Sequence, residues 1–115
     1  MVYKGSCHCG KVAFEVEGEI TSALSCNCSI CSKKGALLWA FPKAQARFQA
    51  KSGALGRYLF NRHVIAHRFC TTCGIHTHSE DVAETGGTDV YINLRCLEGM
   101  DLDKIPLQHF DGRSV

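Results

Sequence analysis

Gly5-Ser6-Cys7-His8-Cys9-Gly10-Lys11-Val12-Ala13-Phe14-Glu15-Val16-Glu17-Gly18 sets two cysteines, one residue apart, directly before a run that alternates polar and apolar side chains. Alternation of period two marks a half-buried strand, here with Val12, Phe14 and Val16 on one face. Residues i and i+2 of extended chain point to the same side, so Cys7 and Cys9 chelate one ion far more readily than they bond to each other. A strand tied to a metal is therefore the first expectation.

Working outward, seven of the eight cysteines fall into three tight clusters: Cys7 with Cys9, Cys26 with Cys28 and Cys31, and Cys70 with Cys73. Such spacings deliver two or three thiolates to one thiophilic ion about 2.3 Å away, and zinc is the expected metal. An even cysteine count in a short chain also suits the disulfide framework of a secreted protein. Against that, Met1-Val2-Tyr3-Lys4-Gly5 has no apolar leader core, and no stretch approaches the ~20 apolar residues of a membrane span. The expectation is a reducing, cytoplasmic setting in which thiols persist as metal ligands or catalysts.

Four sulfurs close a tetrahedral site, whereas three leave a position for an exchangeable ligand. The simplest partition joins Cys7 and Cys9 to Cys70 and Cys73 as a structural site. Cys26, Cys28 and Cys31 then hold a second ion with one open position, a functional site. The plainer alternative is a single zinc shared by any four of the seven, with the remainder as buried thiols.

The length, 115 residues, suits one domain over 1–115. A composition 45% hydrophobic and 21% charged, with a formal charge of +2, fits neither disorder nor a strongly basic nucleic-acid surface. Short β-like runs punctuated by Gly, Ser and Asp cover residues 36–41 (ending at Pro42), 46–50, 56–61, 63–69 and 89–95, with a loose loop over 83–88. Only one short helix, at 43–45 or 101–103, finds room. The reading is a mainly β protein with few short helices.

Three motifs carry a family resemblance: Gly5-Ser6-Cys7-His8-Cys9-Gly10-Lys11-Val12, then Cys26-Asn27-Cys28-Ser29-Ile30-Cys31, then Phe69-Cys70-Thr71-Thr72-Cys73-Gly74. In this order and spacing, over about residues 5–110, the chain resembles the glutathione-dependent formaldehyde-activating family, to which centromere protein V also belongs. Gly74-Ile75-His76-Thr77-His78 and Ile92-Asn93-Leu94-Arg95-Cys96-Leu97-Glu98-Gly99 are similar to small bacterial members. The resemblance implies a Mss4-like, zinc-ribbon-type β fold with two zinc ions. By position it assigns Cys7, Cys9, Cys70 and Cys73 to a structural ion and Cys26, Cys28 and Cys31 to a catalytic one. It also implies the activity of S-(hydroxymethyl)glutathione synthase, a carbon-sulfur lyase joining formaldehyde to glutathione.

The chemistry agrees, since zinc held by three thiolates is a modest Lewis acid, better suited to taking up a thiol than to making hydroxide. A bound glutathione thiolate would attack a small aldehyde, and a proton must then reach the new hydroxyl. His67, His76 and His78 are the candidates for that role. Each has a duller reading: His63 and His67 share a face of an extended run as packing or surface residues, and His76 and His78 share a strand face in a supporting role. Cys96 is either a fourth ligand to the second ion or a buried free thiol. Lys33 and Lys34 either meet glutathione carboxylates or are solvated, and Trp39 and Phe41 read as core. Two classes of function remain open: a zinc-dependent enzyme of this lyase type, or a non-catalytic zinc-stabilised binding module or carrier of glutathione or formaldehyde.

Overall fold

A computed structural model describes residues 1–60, 64–82 and 86–112, and ten strands dominate it. In chain order they are β1 (Val2–Ser6), β2 (Val12–Glu17), β3 (Ala23–Cys26), β4 (Leu37–Pro42), β5 (Ala46–Ala50), β6 (Leu55–Tyr58), β7 (Ile65–Cys70), β8 (His76–Asp81), β9 (Asp89–Asn93) and β10 (Leu107–Phe110). One single-turn helix, α1 (Cys31–Lys34), lies between β3 and β4. Three-residue 3-10 turns occupy Lys43–Gln45, Leu94–Cys96 and Leu102–Lys104. The protein is mainly β with few short helices, as the sequence indicates.

The strands form two sheets, of three in the order β1-β2-β5 and of seven in the order β10-β3-β4-β9-β8-β7-β6. All described pairings are antiparallel except that of β10 with β3. The alternation of the first motif decides how the sheets meet. Val12, Phe14 and Val16 are each no more than 2% exposed, and Phe14 and Val16 join Phe41, Val90, Ile92 and Leu94 in one core between the sheets. Burial of each such side chain contributes about 1.5–3 kcal/mol, so this face holds the small sheet against the large one. Trp39 packs at the edge of the same core and donates its indole N–H to the Glu19 carbonyl, while Phe41 lies inside.

Several boundaries differ from the sequence reading for local reasons. The run expected over 89–95 ends at Asn93, whose side-chain oxygen accepts the Arg95 N–H and turns the chain into a 3-10 helix. The run expected over 56–61 begins at Leu55 and ends as a strand at Tyr58. Helix α1 was not expected; it lasts one turn because Gly35 follows with φ 66°, a left-handed terminus that glycine adopts without strain. The pairing of His63 with His67 and the first half of the 83–88 loop fall outside the described residues.

Candidate functional site

Cys7 and Cys9 lie in the loop between β1 and β2, Cys70 ends β7, and Cys73 lies in the turn between β7 and β8. The four sulfurs lie within 4.8 Å of one another. Cys9 Sγ is 3.7 Å from Cys7 Sγ and 3.6 Å from Cys70 Sγ. Four thiolates about 2.3 Å from a tetrahedral ion would stand ~3.8 Å apart, so this donor set fits zinc without rearrangement. Backbone amides complete the arrangement: Val12 N–H points at Cys7 Sγ, and those of Thr72 and Cys73 at Cys70 Sγ, at 3.4–3.5 Å. The N–H groups of Ile75 first, then Cys9, hold the Cys73 thiol down to about 6, which favours the thiolate a metal needs. Gly74 makes this turn possible, because at φ 81° it brings its N–H back onto the Cys70 carbonyl.

Cys26 ends β3 and Cys31 opens α1, with Cys28 in the loop between them. Their three sulfurs also lie within 4.8 Å of one another, and no fourth His, Cys, Asp or Glu joins them among the described residues. Burial raises the Cys31 thiol. At Cys28 burial pushes the same way, but the Cys31 N–H and the neighbouring thiols outweigh it and the pKa is lowered. The set can hold one thiophilic ion and leaves room for a further ligand.

The chain after β10 lies against this cluster, a feature the sequence reading missed. A Cβ on Gly112 would stand 2.5 Å from Cys26 Sγ and 3.0 Å from Cys28 Cβ, so only glycine fits there. One residue earlier, Asp111 accepts a hydrogen bond from the Asn27 side-chain amide at 2.9 Å. No local pattern around residues 107–112 announces a partner 84 residues away.

A cavity of about 770 Å³ opens at the edge of the four-sulfur cluster; Cys26, Cys28 and Cys31 do not themselves line it. Ile30, Lys34 and Ala36 bring to it the segment that carries Cys31, while Cys7 and His8 bring the edge of the four-sulfur site. Tyr58, Phe69 and Ile75 give it an apolar side. Clefts of 300–1,000 Å³ are the usual size for ligands far larger than a one-carbon aldehyde.

The histidines divide differently from the sequence reading. His76 and His78 were expected on one strand face, but the β7–β8 ladder shifts register between Arg68 and Phe69, which pair with His78 and His76 and leave Thr77 as the extra residue. Such a bulge turns the side chain beyond it to the other face. His76 therefore joins His67, with Ser79 Oγ between them at 2.9 Å from His76 Nε2 and 3.0 Å from His67 Nδ1. His78 points away, stacks on Phe48 with ring centroids 3.9 Å apart, and hydrogen-bonds Thr77. His67 and His76 line the cavity and His78 does not. Burial first, then the Lys34 charge, holds His67 down to about 4 and His76 to about 3; burial and then Arg68 hold His78 to about 3. All three are neutral at ordinary pH.

Cys96 belongs to neither sulfur group. It packs at the edge of the main core, its thiol donates to the His76 carbonyl at 3.6 Å, and burial raises its pKa to about 11. Lys34 parts company with Lys33. Its Nζ lies 3.5 Å from His67 Nδ1, and burial lowers its pKa despite the opposing influence of the Cys31 and Cys28 thiols.

Comparison with known proteins gives the family and the fold. Residues 2–108 match the family model for glutathione-dependent formaldehyde-activating enzyme. The fold is similar to a crystal structure of a Rhodobacter sphaeroides protein from a structural-genomics programme, with 33% identity and a TM-score of 0.78 over 91% of this chain and 99% of that one. The chain belongs to the glutathione-dependent formaldehyde-activating family.

Proposed function

We propose that this protein is a zinc-dependent carbon-sulfur lyase-type enzyme that joins a thiol, glutathione being the natural candidate, to a small aldehyde such as formaldehyde. Two zinc ions are assigned, one to Cys7, Cys9, Cys70 and Cys73 for structure and one to Cys26, Cys28 and Cys31 for catalysis. The observation that carries the reading is a set of three convergent sulfurs whose chain neighbours Ile30, Lys34 and Ala36 line a peptide-sized cavity. A zinc ion there would supply the Lewis acidity that takes up a thiol as its thiolate at neutral pH.

The chain's own residues do the rest. Ile30, Lys34 and Ala36, close to Cys31 in the chain, line the cavity, so the body of the thiol compound has a place to lie. In the addition, the sulfur lone pair forms the new carbon-sulfur bond and the carbonyl π electrons move to oxygen. The proton lost from the thiol ends on the resulting hydroxyl. His67 and His76, neutral because they are buried, are suited to hold that proton through hydrogen bonds rather than as ionised acids. A reducing compartment such as the cytoplasm would keep the thiols available.

Native mass spectrometry of the reduced, zinc-loaded protein, with and without glutathione, tests the assignment. Two zinc ions and one bound glutathione, with both the glutathione and one zinc lost in Cys28→Ser, are expected. One zinc, or two with no bound thiol, would move the function to another surface. Proton exchange spectroscopy on glutathione with formaldehyde then separates catalyst from carrier, since only a catalyst accelerates exchange between free and hydroxymethylated thiol.

A further inference from the structure

Among the described residues, the cavity wall carries two cationic side chains, Lys34 and Arg95, three histidines, His8, His67 and His76, and no carboxylate. Among the described residues neither Lys34 nor Arg95 enters an ion pair, although four other cationic groups, Met1 N, Lys4, Arg68 and Lys104, find acidic partners. The two cations come from different elements. Lys34 ends α1, three residues beyond Cys31, with its ammonium against the His67 ring. Arg95 sits on the 3-10 turn after β9, which Asn93 fixes by accepting the Arg95 N–H at 3.1 Å and donating to the His76 carbonyl at 2.8 Å.

We propose that Lys34 and Arg95 are the specificity-determining residues of this cavity, each reading a carboxylate of a thiol ligand whose sulfur goes to the Cys26, Cys28 and Cys31 cluster. The inference rests on the thiol-binding reading of that cluster and narrows it to the class of anionic, peptide-sized thiols. Lys34 serves the end of the ligand nearest the sulfurs, because it ends the single-turn helix that Cys31 opens. Arg95 serves a more distant carboxylate, and its planar fork suits bidentate pairing. An uncharged thiol uses neither cation. Lys33, one residue earlier, is exposed and does not line the cavity, which makes it an internal control.

The test is calorimetric titration of the zinc-loaded protein with glutathione and with 2-mercaptoethanol, a thiol of no charge. It compares wild type with Lys34→Met, Arg95→Met and Lys33→Met, checking the zinc content and circular dichroism of each. Expected is about a tenfold loss of glutathione affinity in each of the first two, as for a charged hydrogen bond at a partly wet site. Unchanged 2-mercaptoethanol binding and an unaffected Lys33→Met complete the expectation. Equal losses for both thiols, or no loss for either, overturn the inference and leave the thiol-binding reading standing. Failure of wild type to bind either thiol removes that reading and the inference together.

Discussion

Replacing Cys70 by serine tests the role given to the four-sulfur cluster most severely. Cys70 is fully buried, receives two backbone N–H groups and lies 61 residues from Cys9 in the chain. Its partners Cys7 and Cys9 follow a strand of the small sheet, whereas Cys70 ends a strand of the large one, so a shared ion would cross-link the two sheets. Treated as a cross-link closing a 61-residue loop, the ion restricts the unfolded chain by about 4 kcal/mol. A domain of this length has roughly 6–17 kcal/mol in all. Removing the thiolate should therefore lower the melting temperature by about 15 °C or abolish the folded state, and lower the bound zinc from two ions to one or none. Thermal circular dichroism with zinc counted by a chromogenic chelator reads both. The control is Cys28→Ser, whose cluster spans six residues and closes no long loop; it should lose one zinc and still melt cooperatively near the wild-type temperature. If Cys70→Ser melts within a few degrees of wild type and keeps its zinc, the cross-link reasoning is wrong.

Gly112→Ala puts a methyl group 2.5 Å from Cys26 Sγ, so a chelator competition should show weaker metal binding at the three-sulfur cluster and an unchanged four-sulfur site; equal retention of both ions would mean that the C-terminal segment does not support the cluster. Acid should destabilise the fold through its buried histidines. His78 is 1% exposed and held at about 3, below the ordinary 6.5, so the unfolded chain takes up its proton first and stability falls as pH drops below 6.5 toward 3, by about 2 kcal/mol at pH 5 from this residue alone. Melting scans from pH 7 to 5 in excess zinc should show that slope, and His78→Gln should flatten it; an identical slope in the variant would refute the assignment.

What could be read in advance follows from how local each signal is. Val12, Phe14 and Val16 declare their strand because one face is core and the other solvent, and the three cysteine clusters declare themselves by spacing alone. Strand β10 could not be read, since all four of its residues are exposed and no apolar face repeats. Its place comes from parallel pairing with β3 some 84 residues earlier. The bulge that parts His76 from His78 was hidden for another reason: alternation assumes a regular ladder, and a one-residue shift beside Phe69 reverses its answer. The cavity draws on five separate stretches of chain, so Lys34 and Arg95 become neighbours of one space only after folding.

That space touches the four-sulfur cluster at Cys7 and the chain neighbours of Cys31 at Ile30 and Lys34, and this links the two clusters. Cys7 and His8 line the cavity together with Ile30 and Lys34, so a thiol held at the three-sulfur cluster with its body in the cavity would also meet the edge of the four-sulfur cluster. Cys9 separates this effect from global unfolding, because it is the exposed member of its cluster, whereas Cys7 and Cys70 are buried. In Cys9→Ser the three buried or half-buried thiols remain, and the main core between the sheets is untouched. The cavity edge at Cys7 and His8 should loosen, and glutathione affinity should fall several-fold although the three-sulfur cluster keeps its ion. Calorimetry of this variant, with zinc counted in parallel, decides the point. Undiminished glutathione binding in a folded Cys9→Ser protein would mean that the clusters act independently and that the cavity wall does not contribute to recognition.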